Sequence, residues 1–376
     1  MIVVVLLLIL GIVFIYSAGA GQGAGSAIGS YWKKQILWVA AGTCAMILIG
    51  SIDYQAYGRY VILIYFFTTG LLVLVLIIGF EVYGAKSWIK LPGFTIQPSE
   101  FAKLGTIIAL GWVASFPSTR VNNIFHIIAI SSIVLIPMML ILLQPDMGSA
   151  MVFIPILAAI LFIGGIYKRY IIFTIIFVLL AGPITYKVAF AKHQKTRVLT
   201  YLKPLLDEGT YDLVKSFSGV ESGKRGSEID DWNAVQSELA VGSGGMWGKG
   251  LTKGTQNTLG FLPNKVTPTD FIHSLIAEEM GFVGSITLLT LLVLLVVIAI
   301  YIGVKARDQF GQNVAIGIAV MLAAHIFINI GMTIRVMPII GIPLPLVSYG
   351  GSSIILVMCC IGVLQSIYVH RYDAKK

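Results

Sequence analysis

Apolar stretches recur along almost the whole of this chain. Each is about 17 to 30 residues long, enough to cross a bilayer as a helix. The sequence therefore predicts an all-α, polytopic membrane protein with about ten transmembrane helices, forming a single domain over residues 1–376. We place these spans near residues 2–18, 33–50, 60–80, 100–116, 124–143, 148–166, 169–190, 272–303, 312–334 and 348–369.

The composition excludes an ordinary soluble protein. Charged residues make up only 11% of the chain, whereas soluble domains carry about 25%. The net charge of +9 lies mainly in loops, where basic residues set orientation and attract lipid headgroups, so we predict no nucleic-acid partner. The three cysteines all lie in apolar segments and offer neither a disulfide framework nor a zinc spacing.

One polar block, at about residues 191–271, separates the seventh and eighth predicted helices. If the N-terminus is cytoplasmic, the short cytoplasmic loops and the C-terminal tail hold nine basic residues, and the short outer loops hold five. This bias predicts that both termini are cytoplasmic. The polar block then becomes a large extracytoplasmic loop.

Asp270 is the sharpest candidate for chemistry. It is a lone carboxylate just before a long apolar helix, at the predicted mouth of the bundle. Burial beside a membrane would raise its pKa toward the range that suits a general base. The alternative is a helix N-cap, because aspartate in this position satisfies free backbone amides. The two roles are compatible.

Other charges fall at predicted membrane depth, where each is costly unless it is paired or functional. Glu100 and Lys103 share one helix face and either line a substrate cavity or form a structural ion pair. Asp146 either caps the following helix or lines the same cavity and binds a divalent cation. We expect at least one of the adjacent Glu278 and Glu279 to bond a neighbouring helix.

Two segments rich in glycine or proline are candidates for irregular backbone. Residues 338–353 contain three prolines, which forbid a continuous helix and predict a re-entrant or cavity-lining element. The alternative is an ordinary loop between helices. Residues 242–250 contain five glycines, which suit a tight surface loop whose amides approach a ligand.

Five ordered motifs resemble those of the SEDS family (shape, elongation, division and sporulation). They are GAKSWI (84–89), QPSEFAK (97–103), QPDMGSA (144–150), TDFI (269–272) and PLPLVSYGGSS (343–353). The runs KGTQ (253–256) and FLP (261–263) resemble the branch that serves cell elongation more than the division or sporulation branches.

The resemblance implies a peptidoglycan glycosyltransferase of the bacterial cytoplasmic membrane. Such an enzyme polymerises lipid II, the undecaprenyl-linked disaccharide-pentapeptide, with inversion and with undecaprenyl pyrophosphate as leaving group. The implied partners are a class B penicillin-binding protein and other membrane proteins of the elongation complex. The alternatives are a lipid II transporter or flippase, and a scaffold of the elongation machinery.

The predicted site residues come partly from the same resemblance and partly from the charges along the chain. It implies that Asp270 is catalytic, whereas His273 departs from many relatives, which carry an apolar or aromatic residue there. A divalent cation, Mg²⁺ or Mn²⁺, is predicted near Asp146 and Glu100. We predict six residues that contact the substrate: Trp88, Glu100, Lys103, Lys249, Lys265 and Ser348.

Overall fold

The computed structural model describes residues 1–20, 27–82, 85–116, 124–163, 192–219, 224–262 and 266–372. Over these residues the chain forms fourteen α-helices and three short β-strands. The helices are α1 Ile2–Ala20, α2 Tyr31–Gly50, α3 Tyr54–Arg59, α4 Val61–Ile78, α5 Pro98–Ala114, α6 Ile124–Leu143, α7 Met147–Ile163, α8 Lys192–Leu202, α9 Glu208–Ser218, α10 Lys224–Ser243, α11 Thr255–Thr258, α12 Ile272–Val304, α13 Gln309–Thr333 and α14 Gly351–Val369. The strands are β1 Phe80–Val82, β2 Ala85–Leu91 and β3 Phe94–Ile96.

The helical membrane architecture predicted from hydropathy is confirmed. Nine of the ten predicted spans coincide with helices, and the tenth, at 169–190, lies outside the described residues. Within the described part of the chain, five helices are long and apolar enough to cross a membrane by length and composition. They are α1, α4, α12, α13 and the last helix with its terminal turn.

A small antiparallel sheet lies where the sequence had suggested only a loop. Strand β2 pairs with β1 on one side and with β3 on the other. A tight turn at Gly93, whose φ is +89°, reverses the chain between β2 and β3. Glycine suits this backbone because it has no Cβ to clash at positive φ. The sheet carries Trp88, whose Cα pairs with that of Phe80.

The chain forms two compact units, each built from segments that alternate along the sequence. The first unit contains residues 1–40, 190–295 and 325–353. The second contains residues 41–189, 296–324 and 354–376. Of the predicted site residues, Asp270, Lys249 and Ser348 belong to the first unit. Trp88, Glu100, Lys103 and Asp146 belong to the second.

Helix α12 is interrupted at Gly281, where φ is +67° and ψ is −161°. The break frees backbone groups on both sides, and the glycine-rich segment after α10 satisfies them. Its amides at Lys249 and Gly250 donate to the carbonyls of residues 278 and 279, at 3.0 and 2.9 Å. In return, the amides of residues 282 and 283 donate to the carbonyls of residues 245 and 246, at 2.8 and 3.2 Å. The polypeptide therefore stays hydrogen-bonded through the break.

This junction explains the glycines at 242–250 differently from our expectation. A Cβ built on Gly248 would lie 2.2 Å from the carbonyl oxygen of Glu279, closer than any side chain allows. Gly248 therefore permits backbone-to-backbone packing against α12. Of the amides in this run, for which we expected contact with a ligand, those of Lys249 and Gly250 are bonded to this helix instead.

Candidate active site

Asp270 lies in the turn that leads into α12. Its amide donates to the carbonyl of Val266 at 2.8 Å, which closes the turn one residue before the helix entrance at Phe271. The side chain is half-buried. Its carboxylate faces Gly341, where an added Cβ would stand 3.4 Å from Oδ2. The backbone at Gly341 has a φ of +75°, so glycine supplies both the conformation and the space beside the acid.

Three consecutive carbonyl groups hold this turn in place. The carbonyls of residues 268, 269 and 270 accept hydrogen bonds in that order from the Tyr349 amide at 2.8 Å, the Ser348 hydroxyl at 2.5 Å and the Asn329 side-chain amide at 3.1 Å. We call these three donors the carbonyl clamp. Because every peptide unit around Asp270 is fixed, the carboxylate projects from a rigid backbone.

The clamp is itself supported by residues far apart in sequence. Ser348 accepts a hydrogen bond from the Leu344 amide at 2.8 Å, and Gln35 donates to its carbonyl at 3.1 Å. Tyr31 stacks on Tyr349 with ring centroids 4.3 Å apart. Ser348 was predicted to contact the substrate. However, it is buried and its hydroxyl both donates and accepts within the protein, so it positions the backbone instead.

The environment of Asp270 favours the role of a general base over that of a helix N-cap. Among the described residues, no amide from the first turn of α12 donates to its carboxylate, as a cap would require. Burial raises the pKa of Asp270 to about 6, while the charge of Arg197 and the hydroxyl of Thr269 act to lower it. A carboxyl with such a pKa is largely ionised at neutral pH and is a stronger base than an exposed aspartate.

His273 is the second residue of α12 and is buried. Its Nδ1 lies 2.9 Å from the hydroxyl of Thr333, at the end of α13. One residue further along, the Ser274 hydroxyl lies 2.6 Å from that of Ser237 on α10. These contacts tie the start of α12 to two other helices of the same unit, so His273 here is a packing residue.

In the second unit, Glu100 and Lys103 form a buried ion pair one turn apart on α5. The Lys103 ammonium lies 2.7 Å from Glu100 Oε1, and the two side chains are only 1% and 3% exposed. The second carboxylate oxygen of Glu100 has no hydrogen-bond partner among the described residues. A buried oxygen without a partner is costly, because it has lost its hydrogen bonds to water and gained none in the protein.

Asp146 caps helix α7, which was one of its two predicted roles. Its Oδ1 accepts from the Ser149 amide at 3.0 Å, and its Oδ2 accepts from the Gln97 side chain at 2.8 Å. Both oxygens are therefore engaged within the protein. Among the described residues, no group of three or more His, Cys, Asp or Glu side chains could hold a metal ion. With Glu100 already facing an ammonium, these donors do not fit a resident cation.

The remaining predicted substrate contacts divide into three cases. Trp88 is half-buried on β2. Lys249 donates to Ser243, Thr255 and Glu278 at 2.7 to 2.8 Å, which uses all three of its N–H groups. It therefore ties the glycine-rich segment to α12 and is not available to a substrate in this conformation. Lys265 lies outside the described residues.

The two adjacent glutamates of α12 bond other elements, as the sequence suggested. Glu279 accepts from the Ser17 hydroxyl of α1 at 2.6 Å. Glu278 accepts from Lys249 and from the Gln256 amide, at 2.7 and 2.9 Å. Both carboxylates therefore anchor the polar segment and α1 to the broken helix.

Sequence reasoning missed Asn329 and Gly341. Asn329 is fully buried in α13, and its side-chain amide bridges the carbonyls of Asp270 and Ile342 at 3.1 and 2.6 Å. An asparagine within an apolar span was the signal that could have identified it, since a lone amide in hydrocarbon needs a partner. Gly341 had no signal of its own within a run of prolines and aliphatic residues.

Comparisons with known proteins agree with this architecture. A family profile described as "Cell cycle protein" and covering FtsW, RodA and SpoVE matches residues 1–373. A probable peptidoglycan glycosyltransferase FtsW of Trichlorobacter lovleyi is 34% identical, over 98% of this chain and 91% of the relative. The peptidoglycan glycosyltransferase MrdB of Escherichia coli K12 is 32% identical, over 97% and 93%. The stage V sporulation protein E of Bacillus subtilis is 33% identical, over 99% and 96%.

Solved structures share the fold over almost the whole chain. A chain from a structure on the coordination of polymerization and crosslinking by a peptidoglycan synthase complex superposes with a TM-score of 0.75 at 24% identity, covering 99% of this chain and 97% of that one. A variant of the rod shape determining protein RodA of Thermus thermophilus gives 0.69 at 25% identity, with the same coverage. The chain therefore belongs to the SEDS family of multi-pass membrane proteins, which comprises FtsW, RodA and SpoVE.

Proposed function

We propose that this chain is a peptidoglycan glycosyltransferase that polymerises lipid II into glycan strands during cell elongation. The observation that carries the proposal is Asp270, a half-buried carboxyl with a pKa raised to about 6 on a backbone held by three successive hydrogen bonds. Relatives named as peptidoglycan glycosyltransferases, including MrdB of Escherichia coli and RodA of Treponema pallidum, support the activity.

In the proposed reaction, Asp270 takes the proton from the 4-hydroxyl of the terminal N-acetylglucosamine of the acceptor. The oxygen then attacks the anomeric carbon of N-acetylmuramic acid in the donor. The bond from that carbon to the phosphate oxygen breaks, and undecaprenyl pyrophosphate leaves with the bonding electrons. A single displacement inverts the anomeric centre, because the nucleophile enters opposite the leaving group.

The leaving pyrophosphate gathers negative charge and needs a positive partner. We assign this role to Lys103, with Glu100 holding its ammonium at 2.7 Å. We also assign Trp88 a contact with the substrate. A divalent cation remains a prediction, and most of its ligands would come from the pyrophosphate and water. Loss of polymerisation on chelation, with recovery on adding Mg²⁺ or Mn²⁺, tests it.

The reaction needs a defined orientation in the bacterial cytoplasmic membrane. We propose that both termini are cytoplasmic and that the segment from α8 to Asp270 is extracytoplasmic, on the basis of the basic residues in the short loops. A class B penicillin-binding protein and other elongation-complex proteins are the proposed partners. The solved relative from a peptidoglycan synthase complex supports such an association. Labelling of single cysteines from either side of intact cells tests the orientation.

The decisive experiment is polymerisation of purified lipid II by the isolated chain in proteoliposomes. Replacement of Asp270 by asparagine should lower the rate at least about 100-fold, because general base catalysis contributes on that order. The matched control is Asp212→Asn, which changes an exposed carboxylate on α9 in the same segment. Equal activity of the two variants would remove Asp270 as the base. Transfer of lipid II across the vesicle without polymer would support a flippase and overturn the proposal.

A further inference from the structure

The glycine-rich segment after α10 ends in an unusually exposed apolar tip. We call residues 244–253 the tryptophan loop. Within it, Trp247 is 79% exposed and Met246 is 58% exposed. Large apolar side chains at such exposure mark an interaction surface when they extend a larger apolar patch. The question is which surface covers them in the cell.

The tryptophan loop is rigidly attached to a membrane-spanning helix. Four backbone hydrogen bonds join it to α12 on both sides of Gly281, and Lys249 adds an ion pair to Glu278 at 2.7 Å. The amide of Val283 donates directly to the carbonyl of Met246. The height of the tip is therefore fixed by the height of the break in α12.

Helix lengths place that break at one boundary of the membrane. The part of α12 that follows Gly281 runs to Val304. At 1.5 Å per residue it is about 34 Å long, close to the thickness of a bilayer core of about 30 Å. Helix α1 independently indicates the same depth in the membrane for this break. Its last turn contains Ser17, which donates to Glu279. The tip therefore lies where the hydrocarbon core meets the headgroups.

The apolar surface beside the tip is the lipid-facing stripe of α12. Its exposed residues recur every three or four positions, which puts them on one helix face. They are Phe282 at 58%, Ile286 at 45%, Leu289 at 37% and Val293 at 49% exposure. The amide of Phe282 donates to the carbonyl of Gly245. Met246 and Trp247 therefore continue this stripe beyond the break in α12. Lys253, also exposed in the tryptophan loop, adds a positive charge for headgroup phosphates.

We propose that the tryptophan loop is a lipid anchor, with Met246 and Trp247 inserted at the headgroup boundary of the extracytoplasmic leaflet. Tryptophan favours this depth because its ring is apolar and its N–H can reach water or headgroup oxygens. The anchor holds the polar segment against the bilayer at the break of α12. It does not depend on the chemistry of Asp270.

Quenching by brominated lipids tests the anchor in proteoliposomes of the full chain. The protein has six tryptophans, so the signal of Trp247 is the difference between the wild type and a Trp247→Phe variant. We expect this signal to be quenched more strongly by lipids brominated near the headgroup than by lipids brominated near the chain ends. Iodide in the water should quench it weakly.

A matched variant, Trp232→Phe, reports on another tryptophan of the same segment that is 53% exposed on α10. Quenching of Trp247 alone confines the anchor to the tryptophan loop, and quenching of both extends it along the segment. If Trp247 fluorescence is not quenched by brominated lipid but is quenched strongly by iodide, the proposal is overturned. A signal protected from both would also overturn it, because a protein surface would then cover the tip. Phenylalanine keeps the apolar character, and circular dichroism confirms that the variants are folded.

Discussion

The hydroxyl of Ser348 donates a 2.5 Å hydrogen bond to the carbonyl of Thr269, the residue immediately before Asp270. The same oxygen accepts from the amide of Leu344, so the serine joins the proline-rich segment to the turn that carries the acid. A base acts efficiently only when its carboxylate is held within a fraction of an ångström of the proton that it abstracts. This contact therefore links an irregular segment remote in sequence to the proposed chemistry.

Replacement of Ser348 by alanine should slow polymerisation by roughly 10- to 100-fold, because small misplacements of a catalytic group have effects of that order. The loss should fall on kcat with little change in KM, since the buried hydroxyl does not reach the substrate. Ser348→Thr keeps the hydroxyl and should recover part of the rate. Steady-state kinetics on lipid II separates the two constants.

The control for this variant is Ser366→Ala in the second unit. Ser366 is also buried and donates a 2.5 Å hydrogen bond to a carbonyl, that of Ile52. Both alanine variants lose a 2.5 Å hydroxyl-to-carbonyl bond, and Ser348→Ala also removes the acceptor of the Leu344 amide, so thermal unfolding is measured on both. A similar loss of kcat in both would show that Ser348 acts only through general stability.

The pH dependence of the rate should report Asp270. A base must be ionised, so the rate should rise with pH through about 6, where burial has placed the pKa of Asp270. The positive charge of Arg197 lowers that pKa. Arg197→Gln should therefore move the midpoint of the profile to higher pH, while Arg197→Lys keeps it near the wild-type position. Initial rates between pH 5 and pH 8 provide the measurement, and a profile unmoved by Arg197→Gln contradicts the assignment.

Hydropathy predicted most of the architecture because membrane insertion is decided locally. A stretch of about 20 apolar residues must be a helix in lipid whatever its neighbours are. The position of Asp270 just before α12 was predicted in the same way, from the start of the apolar stretch. The sheet at β1 to β3 was missed because strands of three to seven residues leave a weak pattern beside spans of twenty.

The supporting contacts of the site escaped prediction because they join residues remote in sequence. Ser348 and Thr269 are separated by 79 positions, and Asn329 and Asp270 by 59. The contact of Lys249 with Glu278 was not predicted for the same reason, since the two residues are 29 positions apart. Charge and sequence motifs can identify such residues as candidates. Only the packing shows whether a lysine side chain faces a substrate or a carboxylate of the protein.

The space beside Asp270 can be tested through Gly341. Gly341→Ala places a methyl group 3.4 Å from Oδ2 and imposes a side chain on a backbone with φ of +75°. The strain should cost roughly 1 to 2 kcal/mol. We expect polymerisation to fall further than this loss of stability explains, because the methyl group crowds the carboxylate. Thermal unfolding and lipid II turnover are measured on the same preparation.

Gly219→Ala is the matched control for that variant. Gly219 has a φ of +64° and ends helix α9, where an added Cβ would meet nothing within 4 Å. Both alanines therefore fall on backbone with positive φ, and only the one at residue 341 touches Asp270. If the two variants retain equal activity, the gap at Gly341 has no part in catalysis.

The ion pair of Glu100 and Lys103 offers a test that separates stability from function. Removing one partner leaves the other as a buried charge without compensation, at a cost of about 3 to 5 kcal/mol. Both Glu100→Gln and Lys103→Met should therefore unfold at lower temperature than the wild type. The double variant removes both charges and should regain most of that stability. If Lys103 binds the pyrophosphate, the double variant stays inactive although it is folded. Recovery of polymerisation together with stability would instead reduce the pair to a helix lock.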